Sequence, residues 1–146
     1  MVSITADTIL VPMASEDDAE STCESLRTQL EQPATVVGVN VVKKAGGAPD
    51  IASVEQREEH ADRIFWVAGQ KLAADDIEFE GKVAYGTDVA ETIVAVADEV
   101  DADLIAFSPR EASRLARLLT GDVALDLITG TDRPVLVLPT SPPAEE

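Results

Sequence analysis

The sequence predicts an α/β fold: a five-stranded parallel sheet of order 3-2-1-4-5 with helices on both faces. Three observations lead there. The length, 146 residues, fits one domain with a single hydrophobic core, on the scale of roughly 100–200 residues per domain. Composition is 45% hydrophobic but only 3% aromatic, so Val, Leu, Ile and Ala must build that core. The hydrophobic period switches repeatedly between short strand-like runs and longer helical ones, the pattern of strands joined by crossover helices. Right-handed crossovers leave few sheet orders, and 3-2-1-4-5 is the one expected here.

Thr8 to Met13 is a short apolar run suited to a strand buried on both faces. The acidic Ser15-Glu16-Asp17-Asp18 follows and suits a helix start, where exposed N–H groups attract negative charge. That helix is expected from about Asp17 to Glu31, stopping before Pro33. Ala34 to Val42, rich in valine, is the second strand. Gly46 to Pro49 breaks the pattern, and a long helix follows from Ile51 to Ala73 with Ile64, Val67, Ala68 and Leu72 at helical spacing. Ile77 to Tyr85 alternates like a strand at a sheet edge, with one solvated face. Gly86-Thr87-Asp88 turns into a helix over Val89–Val100, and Leu104 to Phe107 is a buried strand. Ser108 to Ser113 is a loop, a helix spans about Arg114 to Thr129 and stops at Gly130, and Val135 to Leu138 is the last strand. Residues 1–140 thus form one domain, and 141–146 are expected to be a frayed tail.

Charge sets the excluded functions. There are 28 Asp and Glu against 11 Lys and Arg, a net charge of -17. Binding to nucleic acid or to an anionic membrane depends on cations that neutralise phosphates, so both are excluded as general partners. Scattered acids with few lysines predict a solvated surface adapted to a salt-accumulating cytoplasm, where self-repulsion is screened. The one cysteine, Cys23, has no partner for a disulfide and is read as a small buried hydrophobe. No apolar window approaches the ~18 residues of a membrane span, and the N-terminus lacks a signal-peptide pattern. A cytoplasmic protein is expected.

Four segments then resemble one family in order and spacing. Ile9 to Pro12 (ILVP) resembles the first strand of universal stress proteins. Gly86 to Ile93 (GTDVAETI) resembles their "G-(D/N)-P-A-E-x-I" helix start, and Asp101 to Ala106 (DADLIA) their "A-D-L-I-V" strand. Leu118 to Val123 (LLTGDV) with Arg133 to Val137 (RPVLV) resembles their "L-L-G-S-V … P-V-L-V-V" ending. The resemblance implies an adenine-nucleotide alpha-hydrolase-like, Rossmann-like fold. Nucleotide-binding members of the family carry G-x2-G-x9-G-(S/T) after the fourth strand, where glycines and a helix N-terminus cradle phosphates. Aligned on Gly121, those positions hold Ser108, Glu111 and Asp122 here, and the family's ribose-binding Asp after strand one is replaced by Ala14. Two like charges ~4 Å apart repel by roughly 4 kcal/mol at an effective dielectric near 20. Carboxylates at Glu111 and Asp122 therefore argue against ATP.

The pocket positions carried over from the family are Pro12, Ala14, Val41, Phe107, Ser108, Arg110, Gly121, Asp122 and Val123. Arg110, Arg114 and Arg117, spaced i, i+4, i+7, form a basic stripe beside them. They bind an anion or an acidic partner surface, or pair with Glu111, Asp122 or Asp126 of the same chain; the sequence leaves these alternatives open. Catalytic machinery is not expected. His60, the only histidine, is read as an exposed residue on a solvated helix face, with no second His or Cys to complete a zinc site. No cofactor is expected, ATP being disfavoured. The resemblance implies a homodimer through the last strands, Val135, Leu136, Val137 and Leu138, and a protein or transporter as a further partner. Two functions stand: a non-catalytic stress-response module that dimerises and does not bind ATP tightly, or a small-molecule or nucleotide-binding domain with a remodelled pocket for AMP, ATP or another anion.

Overall fold

The computed structural model describes residues 6–30, 34–43, 51–107 and 122–138. Along the chain run β1 (Thr8–Pro12), α1 (Glu16–Gln29), β2 (Thr35–Lys43), α2 (Ile51–Ala73), β3 (Glu78–Gly86), α3 (Val89–Val100), β4 (Leu104–Phe107), α4 (Asp122–Thr129) and β5 (Val135–Val137). The strands form one sheet in the order β3-β2-β1-β4-β5, and every neighbouring pair is parallel. That is the architecture the sequence predicts, with element ends displaced by a residue or two. Of the helix expected over 114–129, the described part is α4; residues 114–121 and the tail lie outside the described residues.

Local chemistry sets the ends. Ser15 caps α1, its Oγ accepting from the Asp18 N–H at 3.1 Å, so the helix begins one residue earlier than expected. Asp88 caps α3 in the same way, accepting from the Glu91 N–H at 2.9 Å. A side chain at Gly86, just before this turn, would run into Thr92 Oγ1, so the turn into α3 needs glycine there. After α3 the chain leaves through Asp101 in the left-handed region, φ 56°. Aspartate tolerates that conformation better than most residues.

Alternation along the strands builds two cores. Ile9, Val11, Met13 and Val36 join Ala19, Cys23 and Leu26 of α1 and Ile64, Ala68 and Leu72 of α2 on one face. Leu10, Val37, Val39 and Ile105 join Val89, Ile93, Val96 and Ala97 of α3 and Leu127 of α4 on the other. The period of 2 in the strands thus feeds two helical layers. Gly81 lies directly under the Phe65 ring, which fills the space a Cβ would need. Phe65 and Phe79 pack with centroids 5.9 Å apart.

Ion pairs join α1 to α2 and its following turn. Lys71 Nζ lies 3.2 Å from Glu24 and 3.7 Å from Glu20, and Arg27 Nε lies 2.7 Å from Asp75. The Lys71 hydrogen bond holds the Glu24 carboxyl below its ordinary range. This contribution is present above the ordinary glutamate pKa and is lost as pH falls through the lowered one. At the other side of the sheet Arg133 binds the Ala102 carbonyl and Asp98, both at 2.5 Å. Asp103 accepts from the Asp7 and Thr8 N–H groups at 3.0 and 2.9 Å. These contacts fasten the start of β1 against β4. No helix among the described residues is long and apolar enough to cross a membrane.

Candidate functional site

α1, which follows β1, packs on one face of the sheet, and α4, the next described element after β4, packs on the other. The crevice beyond the carboxyl ends of β1 and β4 is the place such a sheet holds ligands. Leu10 pairs with Ile105 in β4, and the same register two residues on sets Pro12 beside Phe107. On the other side Pro12 pairs with Val39, and the Met13 N–H donates to the Val39 carbonyl at 2.9 Å. Ala14 therefore ends level with Val41. Alternation turns Pro12, Ala14, Val41 and Phe107 to the face that carries α3 and α4. Ala14 and Phe107 are buried in that core, and Val41 packs against it. Pro12 is buried as well.

These four sequence-predicted pocket residues thus share one apolar wall. Asp122 and Val123 are the first described residues of α4. Ser108, Arg110, Gly121, Glu111, Arg114 and Arg117 lie outside the described residues, so the basic stripe does too.

The opposite side of the same strand end is polar. Asn40, buried in β2, donates from Nδ2 to the Met13 carbonyl at 2.9 Å. Asp18, buried in α1, accepts from the Ala14 N–H at 3.2 Å. His60 Nε2 of α2 lies 3.4 Å from the Ala14 carbonyl oxygen. Three elements therefore tie down Met13 and Ala14, the two residues that follow β1. Here the sequence reading of His60 is corrected: the side chain is half-buried, because it sits on the flank of α2 that faces the β1 exit. The flank towards solvent is taken by Glu59 and Asp62.

Sequence reasoning missed this cluster, although each member left a trace. Asn40 is a polar residue inside the run Val36 to Val42, and a side chain amide in a buried strand needs a backbone partner. Ser15 and Asp18 have the spacing of a capping box. His60 precedes the core residue Ile64 by one helical turn.

What this arrangement does chemically is hold backbone. No cluster of metal-ligating groups occurs among the described residues. Cys23 is buried, as its sequence setting predicts, and burial pushes its thiol up to about 12, far from a reactive thiolate. A groove of about 490 Å³ runs between α3 and α4, lined by Asp88, Glu91, Val94, Asp98, Asp126 and Thr129. It shares no lining residue with the apolar wall at the strand ends. Asp98 and Asp88 have structural roles there, pairing with Arg133 and capping α3.

At the β5 edge Val137 is 55% exposed. Val135 and Leu136 are half-buried. Leu138 follows the strand and points into the core, so it belongs to the interior rather than to the edge.

The sequence profile of the universal stress protein family matches residues 5–139. No curated protein sequence matches the chain. Solved structures similar to it include a universal stress protein from Archaeoglobus fulgidus in complex with dAMP, at 21% identity and a TM-score of 0.60, covering 92% of this chain and 98% of that one. A universal stress protein in complex with cAMP has 19% identity and a TM-score of 0.66, covering 94% and 100%. A family member from Burkholderia pseudomallei has 24% identity and a TM-score of 0.61, covering 92% and 96%.

Proposed function

The chain belongs to the universal stress protein family, and we propose that it is a non-catalytic stress-response module that pairs with a second copy, acts through protein partners and does not hold ATP tightly. One observation carries this reading. At the β1 exit, where the resembled nucleotide binders place a ribose-binding aspartate, this chain has Ala14 in an apolar wall with Pro12, Val41 and Phe107. Asp18 and Asn40 are turned to the other face and bind the backbone of Met13 and Ala14. A ribose hydroxyl buried against such a wall loses water without gaining a partner, at a cost of ~1–3 kcal/mol per group.

Titration calorimetry with ATP in near-molar KCl tests it. Little or no heat is expected at micromolar ATP, and saturable micromolar binding would overturn the reading. A second reading has its own support: two similar structures were solved with adenine nucleotides carrying a single phosphate, dAMP and cAMP. A remodelled pocket for such a ligand in this chain predicts that AMP or cAMP binds while ATP does not. The same calorimetry decides between them.

Self-association uses the β5 edge in this reading. Val137 is exposed there. An uncovered strand edge of this kind favours pairing with another strand.

A further inference from the structure

The solvent face of α2 carries a pattern that neither the fold nor the strand-end site uses. Glu55, Glu59, Asp62 and Trp66 follow each other at i, i+4, i+7 and i+11, which brings them into one stripe along the helix. All four are exposed, Trp66 by 66%. Among the described residues none of the four side chains makes a hydrogen bond or ion pair. The acids of α1 behave differently, since Glu20 and Glu24 are engaged by Lys71 and Arg27. Trp66 is the only tryptophan in a chain that is 3% aromatic, and it stands on this surface instead of in either core.

We propose that this face of α2 is a docking surface for a basic, arginine-bearing segment of a partner protein, which lays cations along Glu55, Glu59 and Asp62 and stacks one guanidinium on Trp66. Charge complementarity selects this occupant. An apolar partner would bury the three carboxylates without counter-ions, which costs more than the indole returns. Nucleic acid and anionic lipid are repelled by the same carboxylates, and a second copy of the chain would bring an identical acidic stripe against this one. A guanidinium satisfies both halves of the surface, pairing with carboxylates in its plane and stacking on an indole through its face. Arg63, one turn after Glu59 and one turn before Trp66, flanks the stripe on one side, and Asp62 lies towards the other. The surface is independent of the strand-end site, so it stands whether or not a nucleotide binds there.

Because Trp66 is the sole tryptophan, its emission reports binding directly. The probe is a fluorescein-labelled amphipathic peptide of about fifteen residues bearing arginines at helical spacing, with a lysine version alongside. Saturable change in Trp66 emission with the arginine peptide, and weaker binding of the lysine peptide, are expected. In peptide anisotropy, Trp66→Ala is expected to weaken binding about two- to fivefold, the scale of an exposed cation–π contact. Glu59→Gln with Asp62→Asn should weaken it as well, and raising KCl to about 1 M should remove that effect while leaving the Trp66 effect, since carboxylate attraction is screened within ~3 Å. Glu80→Gln with Glu99→Gln, exposed acids on β3 and α3, removes equal charge elsewhere and should leave affinity unchanged. Equal weakening by both pairs, unchanged affinity in Trp66→Ala, or no saturable binding would each overturn the proposal.

Discussion

Asn40 shows how much one side chain decides at the strand end. Its Nδ2 holds the Met13 carbonyl beyond the last ladder position of β1, and Asp18 holds the next N–H. Asn40→Ala leaves that carbonyl buried without its partner, so urea denaturation is expected to show a loss of ~1–3 kcal/mol. A loss below a few tenths would mean that Asn40 does not support the β1 exit. Cys23 makes the opposite kind of case. With its thiol raised to about 12 by burial, the native protein should be inert to Ellman's reagent near pH 9 and react fully in guanidinium. The unfolded thiol ionises first, near its ordinary pKa, so the folded state holds the extra proton and stability falls as pH rises from about 9 towards 12. A native thiol that reacts as fast as the denatured one would contradict the burial. At this scale the sequence was only partly legible. Cys23 in an apolar helical stripe could be placed inside from its neighbours alone. His60 could not, because its own helix neighbours are acidic and what claims its ring is a carbonyl 46 positions away in the chain.

At the scale of elements, β5 is the informative strand. It is three residues long, pairs only with β4 in the sheet, and leaves Val137 exposed on the outer edge. If that edge pairs two copies, Val137→Lys should yield monomers in sedimentation velocity at concentrations where the parent chain is dimeric, because an edge lysine blunts strand pairing. Its melting temperature should change little, since the residue is outside both cores. A dimeric Val137→Lys variant, or a monomeric parent in molar KCl, would remove the edge as the contact. Element type and order were readable because the period alternates cleanly. Val89–Val100 and Leu104–Phe107 begin and end where the pattern does. Ends were less readable: α1 starts at Glu16 because the Ser15 hydroxyl reaches the Asp18 N–H, a contact that only the folded turn supplies. The short β5 likewise ends before Leu138 because that side chain turns into the core.

For the whole molecule, the net charge of -17 is the largest single physical fact. Among the described residues the ion pairs gather at the α1–α2 contact and around Arg133. Self-repulsion at this net charge destabilises the compact state and weakens as the Debye length shrinks to ~3 Å at 1 M salt. A melting series in KCl is therefore expected to rise from low to molar concentration. A flat or falling series would reject a surface adapted to a salt-accumulating cytoplasm. By itself the sequence determined the layers, the strand order and the small apolar residue, Ala14, that follows β1. Those follow from hydrophobic period, crossover handedness and residue identity, which are local properties or general rules of chain geometry. Only the tertiary structure decided where the polar groups of the strand end are directed, that His60 turns inward, and that Trp66 stands alone beside an acidic stripe. The Asn40 and His60 contacts join residues 27 and 46 positions apart, and the exposure of Trp66 depends on which face of α2 the sheet covers, which spacing within the helix does not tell.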